Sequence, residues 1–486
     1  MGVIRKQSIQ STIIQYLGAV IGFANRIIIF TTFLSTEEIG LTNILLTTGI
    51  MFATFSTFGF ESMTLKFFPY FRDKDKGHHN FLFWLLAIPS VLFVILGILV
   101  FCFQEFILDY FREKSPKMVE YFWYLGVIGI AQLYYILFDS YLRSLYKTVV
   151  PVLFRQVILR LLISISVILY GVGWVSFPNF VLIYVLVIAS LTLLIIVYTL
   201  WLGQLHIKPQ RTWRIRQLSK KVIVYGGFSF FGSVSSVIIF NIDSLMLASF
   251  EGMDAVGVYT TGFYTSTLIL IPWRALLKVS GPKVADLWKQ GNLPELDKLY
   301  KRVSLINFAI ACFLYGMMAI SMDSLFSYLP DDYAAGYAVI LIIGGTRVLE
   351  MLTGLNNVIL RTSKYFRIDL FVNLGSVVFA VILNMLLIPY FKIEGAAWAT
   401  AIVMASFNIF RLIFLWFKFK LQPITAKIFL VAVCSILAFA LQYWIHLDIN
   451  VFLLAIIKGL VFGLPLIASL VYFKIIPIQI LKGKFS

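Results

Sequence analysis

Asn241-Ile242-Asp243-Ser244-Leu245-Met246-Leu247-Ala248-Ser249-Phe250-Glu251-Gly252-Met253-Asp254-Ala255-Val256-Gly257-Val258-Tyr259 lies inside the stretch Val222 to Lys283, which reads as a second start of the protein. A basic run (Lys208, Arg211, Arg214, Arg216, Lys220, Lys221) precedes a long apolar span that ends at Asn241, Asp243 and Phe250. A short acidic turn with Glu251 and Asp254 follows, and then a second apolar span runs to a basic exit at Lys278 and Lys283. The same plan stands 217 residues earlier: an apolar span ending at Phe33, an acidic turn with Glu37 and Glu38, Ile39-Gly40-Leu41-Thr42 opening the next span, and Lys66 at its exit. A further echo at an offset of 218 pairs Leu142-Arg143-Ser144 with Leu360-Arg361-Thr362. Two matches at nearly one offset predict a duplicated unit.

That unit is a membrane unit. Of 486 residues, 60% are apolar and only 13% charged, a balance that excludes a soluble globular chain. A bilayer-crossing helix needs about 20 apolar residues. Fourteen stretches qualify: 11–33, 41–63, 81–103, 119–140, 150–170, 177–203, 222–249, 256–278, 303–322, 336–358, 367–388, 394–416, 426–446 and 451–473. The predicted fold class is an all-α polytopic membrane protein, with two parallel six-helix lobes and two additional C-terminal helices. Its predicted parts are an N-terminal lobe (1–205), a basic cytoplasmic linker (206–221), a C-terminal lobe (222–420), and the last two helices with a tail (421–486). Six spans per copy is an even number, so both copies face the same way, and the substrate path is expected between them.

The net charge of +17 is a topology signal. With the N-terminus inside, about 30 of the 40 Lys and Arg residues fall in cytoplasmic tails and loops and about four in outer loops, which are neutral or acidic. That distribution excludes a nucleic-acid footprint and puts both termini in the cytoplasm. The first span is too long and too polar (Gln15, Asn25, Arg26) for a cleaved signal peptide. Cys102, Cys312 and Cys434 fall in apolar spans and read as small buried hydrophobes, without disulfide or metal spacing. The loop Lys283 to Lys301 has an amphipathic helical pattern interrupted at Gly291-Asn292 and Pro294, and reads as a linker helix between spans eight and nine rather than a helix lying on the inner membrane surface. In the last span, Gly459, Gly463 and Pro465 predict a bend or close packing.

Asn384-Met385-Leu386-Leu387-Ile388-Pro389, followed by Gly395-Ala396-Ala397-Trp398-Ala399-Thr400, resembles the segment joining two late helices in the multidrug/oligosaccharidyl-lipid/polysaccharide (MOP) export superfamily. Glu38-Ile39-Gly40, Asn241-Ile242-Asp243, Val256-Gly257-Val258-Tyr259 and Asn356 to Lys364 extend the likeness over essentially the whole chain. The nearest group is the Wzx-type polysaccharide flippases. The resemblance implies translocation of an undecaprenyl-pyrophosphate-linked oligosaccharide across the bacterial inner membrane, for polysaccharides such as lipopolysaccharide. It also implies membrane lipids and a polysaccharide polymerase machinery as partners, with Na+ or H+ as a coupling ion. A MATE-like drug or metabolite antiporter driven by sodium ions or protons is the alternative.

Ionisable groups in a bilayer core are costly unless paired or hydrated, so they point to function. Cations predominate here: Arg26 in span one, Arg160 in span five, Arg274 in span eight, Arg347 in span ten and Lys458 in span fourteen. Guanidinium forks bind phosphate oxygens bidentately and stay charged. Arg26 and Arg274 come from matching helix pairs of the two copies and, with Arg347, are the candidate ligands of an anionic headgroup. The competing reading is helix-locking ion pairs, most directly for Arg347, which has Glu350 three residues on. Asp243 is open to three roles: counter-ion to Arg26, cation site with Asn241, or cap. Glu61 and Asp139 lie beside Lys66 and Arg143 and read as gate or topology salt bridges, whereas Arg411 is close enough to the inner face to snorkel. Pro272-Trp273 predicts a kink in span eight. Catalytic carboxylate pairs, phosphate-binding glycine loops and metal spacings are absent from the sequence, so no enzyme activity, cofactor or metal is expected.

Overall fold

The computed structural model describes residues 2–73, 77–207, 213–473 and 475. Lys208 and Arg211 of the basic run lie outside the described residues, as do the side chains of Arg214, Arg216, Lys220, Lys221 and Lys278. Every regular element among the described residues is a helix, as a bilayer requires of a chain whose backbone donors and acceptors find no water. Among the described residues, twelve helices are long and apolar enough to cross a membrane.

Two features separate that number from the fourteen apolar stretches. The longest helical run, Phe366–Phe419, holds two of them and turns back on itself at Lys392, where φ is +51° and ψ is −127°. Gly395 lies so close to the Leu387 carbonyl that a Cβ there has no room, and Phe379 and Phe407 meet across the hairpin at 6.1 Å. The Asn384–Pro389 and Gly395–Thr400 motifs thus build a tight helical hairpin. The eighth stretch is interrupted: Met253–Thr267 gives way to a 3-10 turn, Leu268–Leu270, before Ile271–Gln290 resumes with Pro272 in its first turn. The kink predicted at Pro272 is this break, because a proline lacks the N–H that would bond back to the preceding turn.

The chain forms two compact units, Met1–Gly257 and Val258–Ser486. In the first, the helix Thr36–Thr57 is central, packing on Tyr124–Ser144, Phe81–Cys102 and Trp213–Phe250. It starts with a capping box: Ser35 Oγ accepts from the Glu38 N–H, and the Ser35 N–H donates to Glu38 Oε2 at 3.0 Å. Glu38 is held from its other side by the Tyr170 hydroxyl at 2.7 Å, and Glu37 pairs with Lys117 at 2.6 Å. In the second unit, the last two helices, Ala426–Leu441 and Val451–Tyr472, pack on Leu293–Ile320. The predicted close packing is there: Gly459 and Gly463 sit against Met317 and Phe313, and Gly316 against Phe462. Small residues matter at such contacts because lipid tails leave packing, rather than exclusion of water, to join helices. The helical pattern of Lys283 to Lys301 breaks at Gly291-Asn292, where the sequence interrupts it: its residues close Ile271–Gln290 and, after Gly291 at φ +67°, open Leu293–Ile320 with Asn292 as its cap. The three cysteines are free, and Cys102 is exposed rather than buried.

Candidate functional site

In the first unit the polar groups of the first and fifth spans meet where each helix widens into a π turn, Asn25–Ile29 and Phe154–Ile158. Asn25 is buried and clamps the pair: its Nδ2 donates to the Arg160 carbonyl at 2.9 Å, and its Oδ1 accepts from Ser164 Oγ at 2.7 Å. Arg160 reaches back over Gly22 and donates to the Gly18 carbonyl, so this intramembrane guanidinium is a helix fastener. Arg26, in the same π turn, is half-buried with its guanidinium 5.9 Å from the Phe30 ring centroid. A π turn inserts one residue into the helical repeat and so rotates the face that follows it. On Trp213–Phe250, Asp243 is buried at 2% exposure and Asn241 bonds back to the Val237 carbonyl at 2.7 Å.

A second polar centre in this unit is an ion triad. Arg143 lies 2.8 Å from Glu61 Oε1 and 2.9 Å from Asp139 Oδ2. The bridge that the sequence suggested between neighbouring inner helix ends is thus one cation shared by two acids. Lys66 instead stands 3.7 Å above the Tyr225 ring. Arg155, which no motif or spacing marks, lies 5.6 Å from the ring of Tyr135, whose hydroxyl donates to the Pro151 carbonyl at 2.7 Å.

In the second unit Arg347 is fully buried and paired with Glu350 at 2.8 Å, the three-residue spacing read from the sequence. The Phe263 ring lies 5.3 Å from its guanidinium, and the same Nη1 contacts Met404 Sδ at 3.0 Å. Its Nε and Nη2 have no hydrogen-bond partner among the described residues. Arg274 is exposed in the first turn after the Pro272 break, in electrostatic range of Arg347 and Glu350 but forming no ion pair with a described residue. The adjacent Trp273 is pinned by its indole N–H to the Gly354 carbonyl at 3.0 Å, which fixes the turn that carries Arg274. Arg411 does not snorkel. It is 8% exposed, bonded to Asp369 at 3.1 Å and Asn373 at 2.7 Å, because Asp369 comes alongside through the helical hairpin. Lys458 lines a cavity of about 680 Å³ between the last two helices and the spans Leu293–Ile320 and Gly336–Thr353. Its walls are aromatic and aliphatic, among them Phe308, Tyr315, Phe439 and Phe462, and Asp323 is the other charged residue in its lining.

The structure therefore brings Arg274 into the neighbourhood of Arg347 and Glu350, and Glu61 to Arg143; Arg26 and Asp243 both belong to the first unit. The Asn25 clamp had one sequence signal, a polar pair (Asn25, Ser164) within apolar spans; nothing in a 3.6-residue periodicity announced the π turns.

A family model described as polysaccharide biosynthesis protein matches residues 4–279, over half of the chain. No curated protein sequence matches it. Among solved structures, the fold is similar to lipid II flippase MurJ in an inward closed conformation, at TM-score 0.77 and 14% identity over 96% of this chain and 99% of that one. It is also similar to an inward-facing multidrug resistance MATE family transporter of the MOP superfamily, at TM-score 0.58 and 15% identity over 84% of this chain and 98% of that one. A MOP superfamily transporter from Pyrococcus furiosus matches at TM-score 0.52 and 15% identity, over 86% of this chain and 95% of that one. The fold is that of MOP superfamily transporters.

Proposed function

The chain belongs to the polysaccharide biosynthesis protein family, and from that premise we propose that this multi-pass membrane protein flips an undecaprenyl-pyrophosphate-linked oligosaccharide outward across the bacterial inner membrane. It works by alternating access, as a transporter and not an enzyme, with both termini in the cytoplasm. Arg26 and Arg274 hold the pyrophosphate, and Arg347 with Glu350 forms a buried pair whose field acts on Arg274. Asp243 and Asn241 serve as an ion or counter-ion site, and the Glu61–Arg143–Asp139 triad is a gate bridge.

The observation that carries this reading is Arg274: an exposed guanidinium just after a helix break, with no ion-pair partner among the described residues. A permanent cation held this way in a membrane span is costly unless water or an anion attends it. Guanidinium is the group that grips phosphate oxygens in pairs without titrating. An inside-negative potential assists the outward step by about 2.3 kcal/mol per elementary negative charge per 100 mV. The polyprenyl tail stays in apolar surroundings throughout, and the cavity at the last two helices, with Lys458 in its wall, offers it a path. The delivered glycan then meets the polymerase machinery on the outer face.

Proteoliposomes loaded with a fluorescent undecaprenyl-pyrophosphate oligosaccharide test this. The native chain is expected to expose the label to an outside quencher, and Arg26→Ala and Arg274→Ala to lose at least tenfold in rate, in line with loss of a charge-assisted contact. Exchange of organic cations against a sodium or proton gradient, with no movement of lipid-linked sugar, would replace this reading with a MATE-like antiporter.

A further inference from the structure

The second unit holds another cavity of about 680 Å³, at the helix ends that carry the basic loops. Three lysines from three segments line it: Lys289 at the end of Ile271–Gln290, Lys364 just before Phe366–Phe419, and Lys418 at the far end of that hairpin. Among the described residues, no acidic side chain is in its lining. Its wall is aromatic and well fixed. Trp288 and Phe419 meet at 4.8 Å, Tyr365 and Phe419 at 5.7 Å, and the Trp288 indole N–H donates to the Ile359 carbonyl at 3.1 Å. The Lys364 and Lys418 ammonium groups each stand 5.3 Å from the Tyr365 ring centroid, so one ring gathers two cations. Ser363, whose Oγ accepts from the Tyr365 N–H at 3.0 Å, sets the turn that brings Lys364 in.

We propose that this cavity is a binding site for a phosphate-bearing anion at the cytoplasmic membrane surface, supplied by an anionic phospholipid headgroup or by soluble phosphate. Like charges gathered without an acid repel one another, and a phosphate that touches two or three of them removes that cost. Basic pockets between helices at the cytoplasmic face are where lipid headgroups dock, and the volume is in the usual range for a small ligand. The aromatic wall offers apolar contact to a glycerol or acyl segment next to the phosphate. The site is separate from Arg26 and Arg274 and does not depend on what the transporter carries.

The test uses the full-length chain in phosphatidylcholine nanodiscs. Phosphatidylglycerol bound per protein is measured by native mass spectrometry across a titration, and inorganic phosphate by calorimetry in phosphatidylcholine alone. Three proteins are compared: native, K289Q/K364Q/K418Q, and the charge-matched control K283Q/K298Q/K427Q, whose lysines do not line the cavity. Native and control are expected to bind, and the cavity variant to bind on the order of 100-fold more weakly, from three lysines near the surface. Saturation by phosphatidylglycerol identifies a lipid site, and saturation by phosphate alone a soluble-anion site. Equal binding by native and cavity variant, or an equal loss in the control, overturns the proposal. If the triple variant does not fold, K364Q alone replaces it, with about fivefold weaker binding expected and no change overturning the proposal.

Discussion

Gly40 and Gly257 make the same contact in mirror roles: Gly40 has its Cα against the carbonyl of Met253, and Gly257 against the carbonyl of Thr36. The spacing from Gly40 to Gly257 is 217 residues, and so is that from Thr36 to Met253. The offset at which the sequence repeats is therefore the offset of a reciprocal backbone contact. Thr36 Oγ1 adds a bond to Asp254 at 2.6 Å, and Ser115 Oγ donates to the Ala248 carbonyl at 2.6 Å beside it. Two acidic turns that looked like simple loop ends are a packed joint.

That joint has no room for a methyl group on either side, and its neighbours are backbone atoms, which cannot swing away. Gly40→Ala and Gly257→Ala should each destabilise by about 1–3 kcal/mol, the usual cost of overpacking. Gly97→Ala and Gly126→Ala, where an added Cβ meets nothing within 4 Å, should be neutral. Fluorescence-detected size-exclusion after a heating series reads both; equal melting of all four variants would contradict the joint.

Arg347 and Glu350 divide structural from substrate roles. Glu350→Gln leaves a fully buried guanidinium without its carboxylate and should cost about 3–5 kcal/mol, whereas Arg347→Met with Glu350→Gln should recover most of that stability. Transport that survives in the stable double variant makes the pair structural. Transport lost there, with the fold intact, gives Arg347 a part in handling the headgroup.

The Glu61–Arg143–Asp139 triad is half-exposed, so its strength is less than that of a dry pair. Arg143→Gln leaves two acids facing each other and should lower stability by about 1–3 kcal/mol, with Arg143→Lys intermediate because the charge is kept on a shorter stem while the Nη2 that meets both acids is lost. If the triad is a gate that opens during transport, Arg143→Gln also changes rate beyond what its melting shift explains. High salt should shrink the difference between native and variant.

Much of this architecture was legible in the sequence, since hydropathy marks the membrane spans and the two acidic turns at one offset fall where Gly40 and Gly257 pack. The Arg347–Glu350 pair was also legible because three residues along a helix is a local distance. Asp369 and Arg411 are 42 residues apart, so only the hairpin at Lys392 shows that they meet. The Asn25 clamp was hidden for another reason: one extra residue in a turn hardly changes hydropathy but turns the polar face. The aromatic cavity with Lys289, Lys364 and Lys418 joins three loops whose lysines read, singly, as topology charges.

Lys392 supplies a prediction of opposite sign. It is exposed, carries φ +51° and ψ −127°, and is the residue that lets the chain turn between two helices. An L side chain in that conformation costs on the order of 1–3 kcal/mol, and glycine enters it freely. Glycine also loses more freedom on folding, which returns part of the gain. Lys392→Gly should therefore raise stability by about 1 kcal/mol, or a degree or two in melting temperature for a chain this large. Lys392→Ala keeps the Cβ and should give no gain, which separates backbone relief from removal of the charge. Gly395→Ala, three residues on, should fall instead, because its Cβ would strike the Leu387 carbonyl. If Lys392→Gly melts at or below the native temperature while Gly395→Ala is neutral, the hairpin is not the tight turn described.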